Sequence, residues 1–170
     1  MNLHRAALAL ALPLALAAPA AAQVPILGRT GAWQTLGGPG TDTPLLCGLA
    51  AQDGARHLRI LHPRGGDEIA LEIGDTAWSF PAGAALDVIL QFEGLRPWTE
   101  EIAARTDPHG RPQILLSLHT SNLAALLDEF GRASHLHVRF RLAGTSHRWT
   151  AALRGARTAA TRLESCLAAD

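Results

Sequence analysis

By type and spacing, His135 and His137 are the residues of this chain best suited to chemistry. On a β-strand, residues i and i+2 project to the same side, so both imidazoles could reach one divalent metal ion. A working site would need a third ligand, for which His147 and His119 are the candidates, and outer partners to set the tautomers. The same face continues through Arg139 and Arg141, whose positive charge opposes a cation and suits an anion. His135, His137, Arg139 and Arg141, joined by Arg148, form a basic stripe that could hold a carboxylate or phosphate through charge-assisted hydrogen bonds. The plainer alternative is a solvated face balanced by acidic residues on a neighbouring strand.

Other chemistries find little footing. There is no Gly-x-Ser-x-Gly elbow for nucleophilic hydrolysis, and Ser146-His147 beside a turn does not make a triad. The acid pairs Asp67-Glu68, Glu100-Glu101 and Asp128-Glu129 consist of neighbours, which on a strand point opposite ways. Gly37-Gly38-Pro39-Gly40 lacks the lysine and following helix of a phosphate loop. No catalytic residue is assigned, and beyond the divalent metal that the histidine pair could take, no cofactor is expected. Trp33, Trp78, Trp98 and Trp149 would make a sugar or protein platform if exposed together; at inward strand positions, as Trp149 is, they belong to a core.

The stripe needs a rigid support, and the flanking pattern supplies one. From His135 to Leu142, Leu136, Val138, Phe140 and Leu142 alternate with the polar residues. A turn at Ala143-Gly144-Thr145-Ser146 leads to a second strand whose Trp149, Ala151 and Leu153 share the apolar face. Gly155 ends it, and Ala156, Ala159, Ala160, Leu163 and Leu167 recur at helical spacing around Cys166. Earlier, Leu45 to Ala51 reads as a strand carrying Cys47, and His57 to His62 and Ile69 to Ile73 form a hairpin across Pro63-Arg64-Gly65-Gly66-Asp67. Leu86, Val88, Leu90 and Phe92 face inward on the next strand, and Ile89 on its other side suggests cover on both faces. Pro97 to Thr106 is read as a strand in a hairpin with Ile114 to Leu118 through Asp107-Pro108-His109-Gly110. Thr120-Ser121-Asn122 offers N-cap candidates for a helix with Leu123, Leu126, Leu127 and Phe130 inward, which Gly131 is placed to stop. The predicted fold is mainly β, an antiparallel sandwich or barrel-like sheet with two covering α-helices.

Residues 1–22 read as a secretory signal peptide: Arg5, an apolar run from Ala6 to Ala18, and Ala20-Ala21-Ala22 as cleavage site. The run is shorter than the ~20 residues that cross a bilayer, so no transmembrane segment is expected in the mature chain. Residues 23–43, rich in glycine, proline and threonine, are expected to form an extended lead-in docked through Trp33, and residues 44–170 one β-rich domain. Removing 22 of 170 residues leaves 148, and removing Arg5 leaves 14 basic residues, all arginine, against 15 acidic ones. Such balance argues against nucleic acid as a partner. Two cysteines in an exported chain predict a Cys47–Cys166 disulfide.

The signal peptide, the early Trp33, the cysteine on the following strand, the Trp78-Ser79-Phe80-Pro81-Ala82-Gly83 turn before Leu86 to Phe92, and the strand-helix ending together resemble the small secreted proteins of the invasion-associated locus B family. The resemblance implies a small β-rich envelope protein and brings no catalytic residues with it. The expectation is therefore a bacterial protein of periplasm or medium, of binding or structural type, whose partner could be another envelope protein; the alternative is a metal-binding protein or metal-dependent hydrolase using His135 and His137.

Overall fold

The computed structural model describes residues 24–38 and 46–168. The expected signal peptide lies outside the described residues. Among the described residues eleven strands form two antiparallel sheets, a sandwich and not a closed barrel. In chain order the strands are β1 (Ile26–Thr30), β2 (Trp33–Gly38), β3 (Leu46–Asp53), β4 (Arg56–Pro63), β5 (Glu68–Asp75), β6 (Ala85–Phe92), β7 (Trp98–Ala103), β8 (Arg105–Thr106), β9 (Pro112–His119), β10 (His135–Leu142) and β11 (Thr145–Ala152). The larger sheet runs β1-β2-β3-β4-β5-β9-β8 and the smaller β11-β10-β6-β7. Two helices, α1 (Leu123–Arg132) and α2 (Ala156–Ala168), complete the described fold.

Alternation builds the core. Leu58 and Ile60 of β4, Ile69, Leu71 and Ile73 of β5, and Ile114 and Leu116 of β9 face Leu86, Val88, Leu90 and Phe92 of β6 and Leu136, Val138 and Phe140 of β10, all buried. Each such side chain withdrawn from water contributes about 1.5 to 3 kcal/mol. The helices close the side that the smaller sheet leaves uncovered, with α2 packed on β1, β2, β3 and α1. Phe130 of α1 meets Trp33 edge-on at 4.8 Å and Phe92 at 6.5 Å, so one ring joins both sheets to the helical cover.

The disulfide is present: Cys47 on β3 and Cys166 on α2 are joined with Sγ atoms 2.02 Å apart, 119 residues apart in sequence. It passes over β2 at Gly37, the register partner of Cys47, where a Cβ would come within 2.9 Å of Cys166 Sγ. The backbone therefore approaches the bridge as closely as only glycine allows.

Four expectations change. Over residues 26–38 the expected lead-in is a hairpin, β1 with β2, that extends the larger sheet, although Trp33 does dock in the core. The strand read over Pro97 to Thr106 divides: β7 pairs with β6 in the smaller sheet, while only Arg105 and Thr106 pair with β9 in the larger. The chain crosses at buried Ala104, whose N–H donates to Ala84 O at 2.8 Å and whose carbonyl accepts from Gly83 N at 2.8 Å. Gly131 does not stop α1, which continues to Arg132; a Cβ there would make ordinary contact with Arg157 of α2, 3.4 Å from its Cα. Ile89 is half-buried between Arg139 and Thr99, its neighbours on a polar outer face and not beneath a second layer.

Candidate functional site

The outer face of the smaller sheet carries the predicted stripe, and the β10–β11 hairpin sets its geometry. Ala143 and Gly144 both have positive φ, 47° and 84°, which matches the two-residue turn whose twist suits antiparallel strands. With that turn, Leu142 pairs with Thr145 and the register runs without a bulge to His135 opposite Ala152. Arg139 therefore stands directly opposite Arg148, His137 opposite Thr150, and Arg141 opposite Ser146. A four-residue turn over 143–146 would have shifted these pairs and set Arg148 opposite Arg141. On the other flank, Arg141 pairs with Asp87, Arg139 with Ile89 and His137 with Gln91 of β6.

All five predicted residues share this face. His135, Arg139, Arg141 and Arg148 are exposed and His137 is half-buried. The His135 and His137 rings stack 6.0 Å apart, inclined by 19°. His137 Nδ1 lies 3.2 Å from Thr150 Oγ1, which orients the ring and leaves Nε2 for other partners. His135 Nδ1 lies 3.2 Å from Glu93 Oε2, and Ser134 Oγ donates to the same carboxylate oxygen. The Ser134 hydroxyl, and next the His135 ring, hold the Glu93 carboxyl below its ordinary pKa. Among the described residues Arg139, Arg141 and Arg148 make no salt bridge. Arg139 and Arg148 border a shallow groove of about 230 Å³ whose lining also includes Gln91, His137 and Thr150.

Two arginines at directly opposed register positions can turn planar N–H donors toward one carboxylate or phosphate, each able to bind it in bidentate fashion. Like charges directly opposite on neighbouring strands cost stability. An anion lying between them would reverse the sign of that interaction.

The metal expectation meets a different geometry. His147 pairs with Phe140 and stacks on it at 4.9 Å, on the apolar side of the sheet, away from His135 and His137. His119 ends β9 in the other sheet, with Nδ1 accepting from Ser121 N–H at 3.2 Å and lying 2.9 Å from its hydroxyl. Neither supplies the third ligand, and among the described residues no group of three or more His, Cys, Asp or Glu side chains gathers around a common point. The four tryptophans make no exposed platform: Trp33 and Trp149 are buried, and Trp78 and Trp98 are half-buried against the core.

Thr150, Gln91 and Glu93 were not singled out from sequence. Thr150 and Gln91 become visible once the register is known, because each is the cross-strand partner of His137. Glu93 had no comparable signal, since it reaches His135 from just beyond the end of β6.

No helix among the described residues is long and apolar enough to cross a membrane. No protein-family model, curated protein or solved structure matches the chain.

Proposed function

We propose that this chain is an exported protein of the bacterial envelope that acts by binding, and that the outer face of its smaller sheet docks an acidic segment of another envelope protein. The observation that carries this reading is the pairing of Arg139 with Arg148 across β10 and β11, with neither in a salt bridge among the described residues. A protein segment is favoured over nucleic acid because the mature chain has no basic excess, 14 arginines against 15 acidic residues. Export is supported by the Cys47–Cys166 disulfide, a bond at home in oxidising compartments, together with the apolar leader read from the sequence. The resemblance to secreted envelope proteins points the same way. The metal-dependent alternative has less support, because His147 lies on the opposite side of the sheet from the histidine pair.

In-cell cross-linking of the exported protein tests the proposal. The wild-type chain is expected to capture a protein partner in stoichiometric amount, and the Arg139→Glu, Arg148→Glu double variant to lose it while keeping its thermal stability. Capture of the same partner by both proteins would sink the docking face. Metal analysis of tag-free protein beside a His135→Ala, His137→Ala variant addresses the alternative: equal metal content in the two rules out that pair as the site.

A further inference from the structure

The strand that carries Arg148, β11, ends the smaller sheet and pairs only with β10 among the described residues. Its free edge can be assigned residue by residue. The two-residue turn makes Leu142 and Thr145 the first hydrogen-bonded pair, and such pairs alternate along an antiparallel ladder. Leu153 keeps the alternation, its N–H donating to Ser134 O at 2.8 Å. Ser146, Arg148 and Thr150 therefore aim their N–H and C=O groups away from β10, where no described strand receives them. No bulge blunts this edge, so it is a template for a further strand.

A cleft of about 290 Å³ opens along the second half of the edge. Trp149, Thr150, Ala151 and Ala152 line it in succession. Neighbouring side chains on a strand point to opposite faces, so an unbroken run of four meets the cleft along the backbone edge. The far wall is the β3–β4 hairpin, apolar at Ala51 and Leu58 and polar at Gln52, Asp53, Arg56 and His57. Arg56 is bonded to Asp75, whereas Asp53 forms no salt bridge among the described residues, so the cleft disfavours a further carboxylate. On the outer face the charge is reversed: Arg148 is exposed there beside Arg139 of the next strand. A strand added to β11 would meet arginine with one set of alternate side chains and the cleft with the other.

We infer that the partner's acidic segment adds itself to the free edge of β11 as an antiparallel strand, in the manner of the strands already in that sheet. Its acidic residue stands opposite Arg148, bonded to it through the backbone and sharing its outer face, while the uncharged residues on either side turn toward the cleft. This rests on the docking reading above and adds the mode of recognition, an extended segment alternating acidic and uncharged side chains. Backbone bonds give such strand addition its affinity and the alternate side chains its specificity. The β11 strand of a second copy is the poorer occupant, because Thr145–Ala152 holds His147 and Arg148 and no acid.

The test has an arm in solution and an arm in cells. In solution, the ¹⁵N-labelled mature chain is titrated with the peptide acetyl-Thr-Val-Glu-Val-Thr-amide, and the Arg148 and Thr150 amides are expected to shift and to gain protection from hydrogen exchange. Methylating the Glu nitrogen, which would face β11, is expected to weaken binding at least about 10-fold, and replacing Glu by Gln about 3- to 10-fold. Methylating the two Val nitrogens, which face away, should leave binding unchanged. In cells, Thr150→Pro removes an edge-facing N–H without breaking the β10 ladder, a change that edge strands tolerate, and is expected to lose the cross-linked partner. Ser146→Pro makes the same change at another edge position and decides the matter if Thr150→Pro folds poorly. Full capture by both proline variants, beside loss by Arg139→Glu, Arg148→Glu, would overturn strand addition and leave the docking face standing; capture by all of them would sink both. Equal binding of the Glu-methylated peptide, no binding of the unmethylated one at millimolar concentration, or binding without protection at Arg148 and Thr150 would also overturn the inference. A dimer in sedimentation that Thr150→Pro abolishes would give the edge to a second copy instead.

Discussion

Three cross-strand pairs, two on the larger sheet and one on the smaller, set arginine in opposite surroundings. On the larger sheet, Arg56 and Arg59 of β4 stand opposite Asp75 and Glu72 of β5 and form salt bridges of 2.9 and 3.3 Å with those same partners. On the smaller sheet, Arg139 stands opposite Arg148. Register alone accounts for the difference, since a cross-strand pair is the unit of side-chain interaction in a sheet. Where the chain supplies the counter-charge, the arginine belongs to the fold. Where it supplies a second arginine, the pair weakens the fold and becomes intelligible as a surface for something outside it.

Five predictions break or sharpen that contrast. The largest effect comes from the bridge that ties the larger sheet to its helical cover: replacing Cys47 and Cys166 by alanine is expected to cost about 2 to 5 kcal/mol in denaturant unfolding. It should leave the β10–β11 face intact, so partner capture at permissive temperature persists. Loss of capture in parallel with stability would show that the two regions are not independent.

Next is Arg56→Ala, expected to cost about 1 to 3 kcal/mol because it strips a partner from the buried Asp75 carboxylate. Asp75 keeps its second bond, to Ala77 N–H at 2.9 Å, which places the effect below that of a fully orphaned acid. Arg59→Ala, whose partner Glu72 is more exposed than Asp75 and is met at the longer 3.3 Å, should cost no more than about 1 kcal/mol. The smaller sheet predicts the opposite sign: Arg139→Ala or Arg148→Ala should leave the unfolding midpoint unchanged or raise it by a few tenths of a kcal/mol, through relief of like-charge opposition. A loss above about 1 kcal/mol from either would mean that these arginines serve the fold after all.

The smallest effect is a pH dependence on the larger sheet. His57 lies over Gly74 on its outer face, and burial, aided by the nearby Arg59 charge, lowers the imidazole pKa from its ordinary 6.5. Well above pH 6.5 the ring is neutral in both the folded and the unfolded chain and contributes no slope. As the pH falls below that value, the unfolded chain takes up a proton that the folded chain resists, so stability declines until the lowered folded pKa is passed. His57→Gln should flatten the unfolding midpoint across that window, whereas an unchanged slope would assign the acid sensitivity to other groups.

Much of the fold was legible because strand alternation is a local signal. Leu58 with Ile60, Ile69 with Leu71 and Ile73, and Leu136 with Val138 and Phe140 declare their inward face within a few residues, and all are buried. The apolar stripe of α1 was likewise readable from spacing, whereas Thr120-Ser121-Asn122, read as N-cap candidates, form a 3-10 turn capped by His119, and Asn122 makes no side-chain capping bond. The division of Pro97 to Thr106 between two sheets was not, because no short-range pattern distinguishes a strand that stays in its sheet from one that leaves at Ala104. Gly131 misled for a related reason: a glycine that ends a helix and a glycine inside its last turn look identical in sequence.

By itself the sequence determined which residues could form a basic face, since His135, His137, Arg139 and Arg141 alternate with apolar neighbours and must fall on one side of any strand they build. It also determined the pairing of Cys47 with Cys166, there being no other cysteines. Only the tertiary structure decided that Arg148 faces Arg139, that His147 turns inward onto Phe140, and that Trp149 to Ala152 line a cleft. The physical reason is that alternation specifies a face, whereas partners depend on strand register and on which elements meet across the core. A two-residue turn at Ala143-Gly144 and the packing of β11 against the turns of the larger sheet set those relations, over distances no local pattern spans.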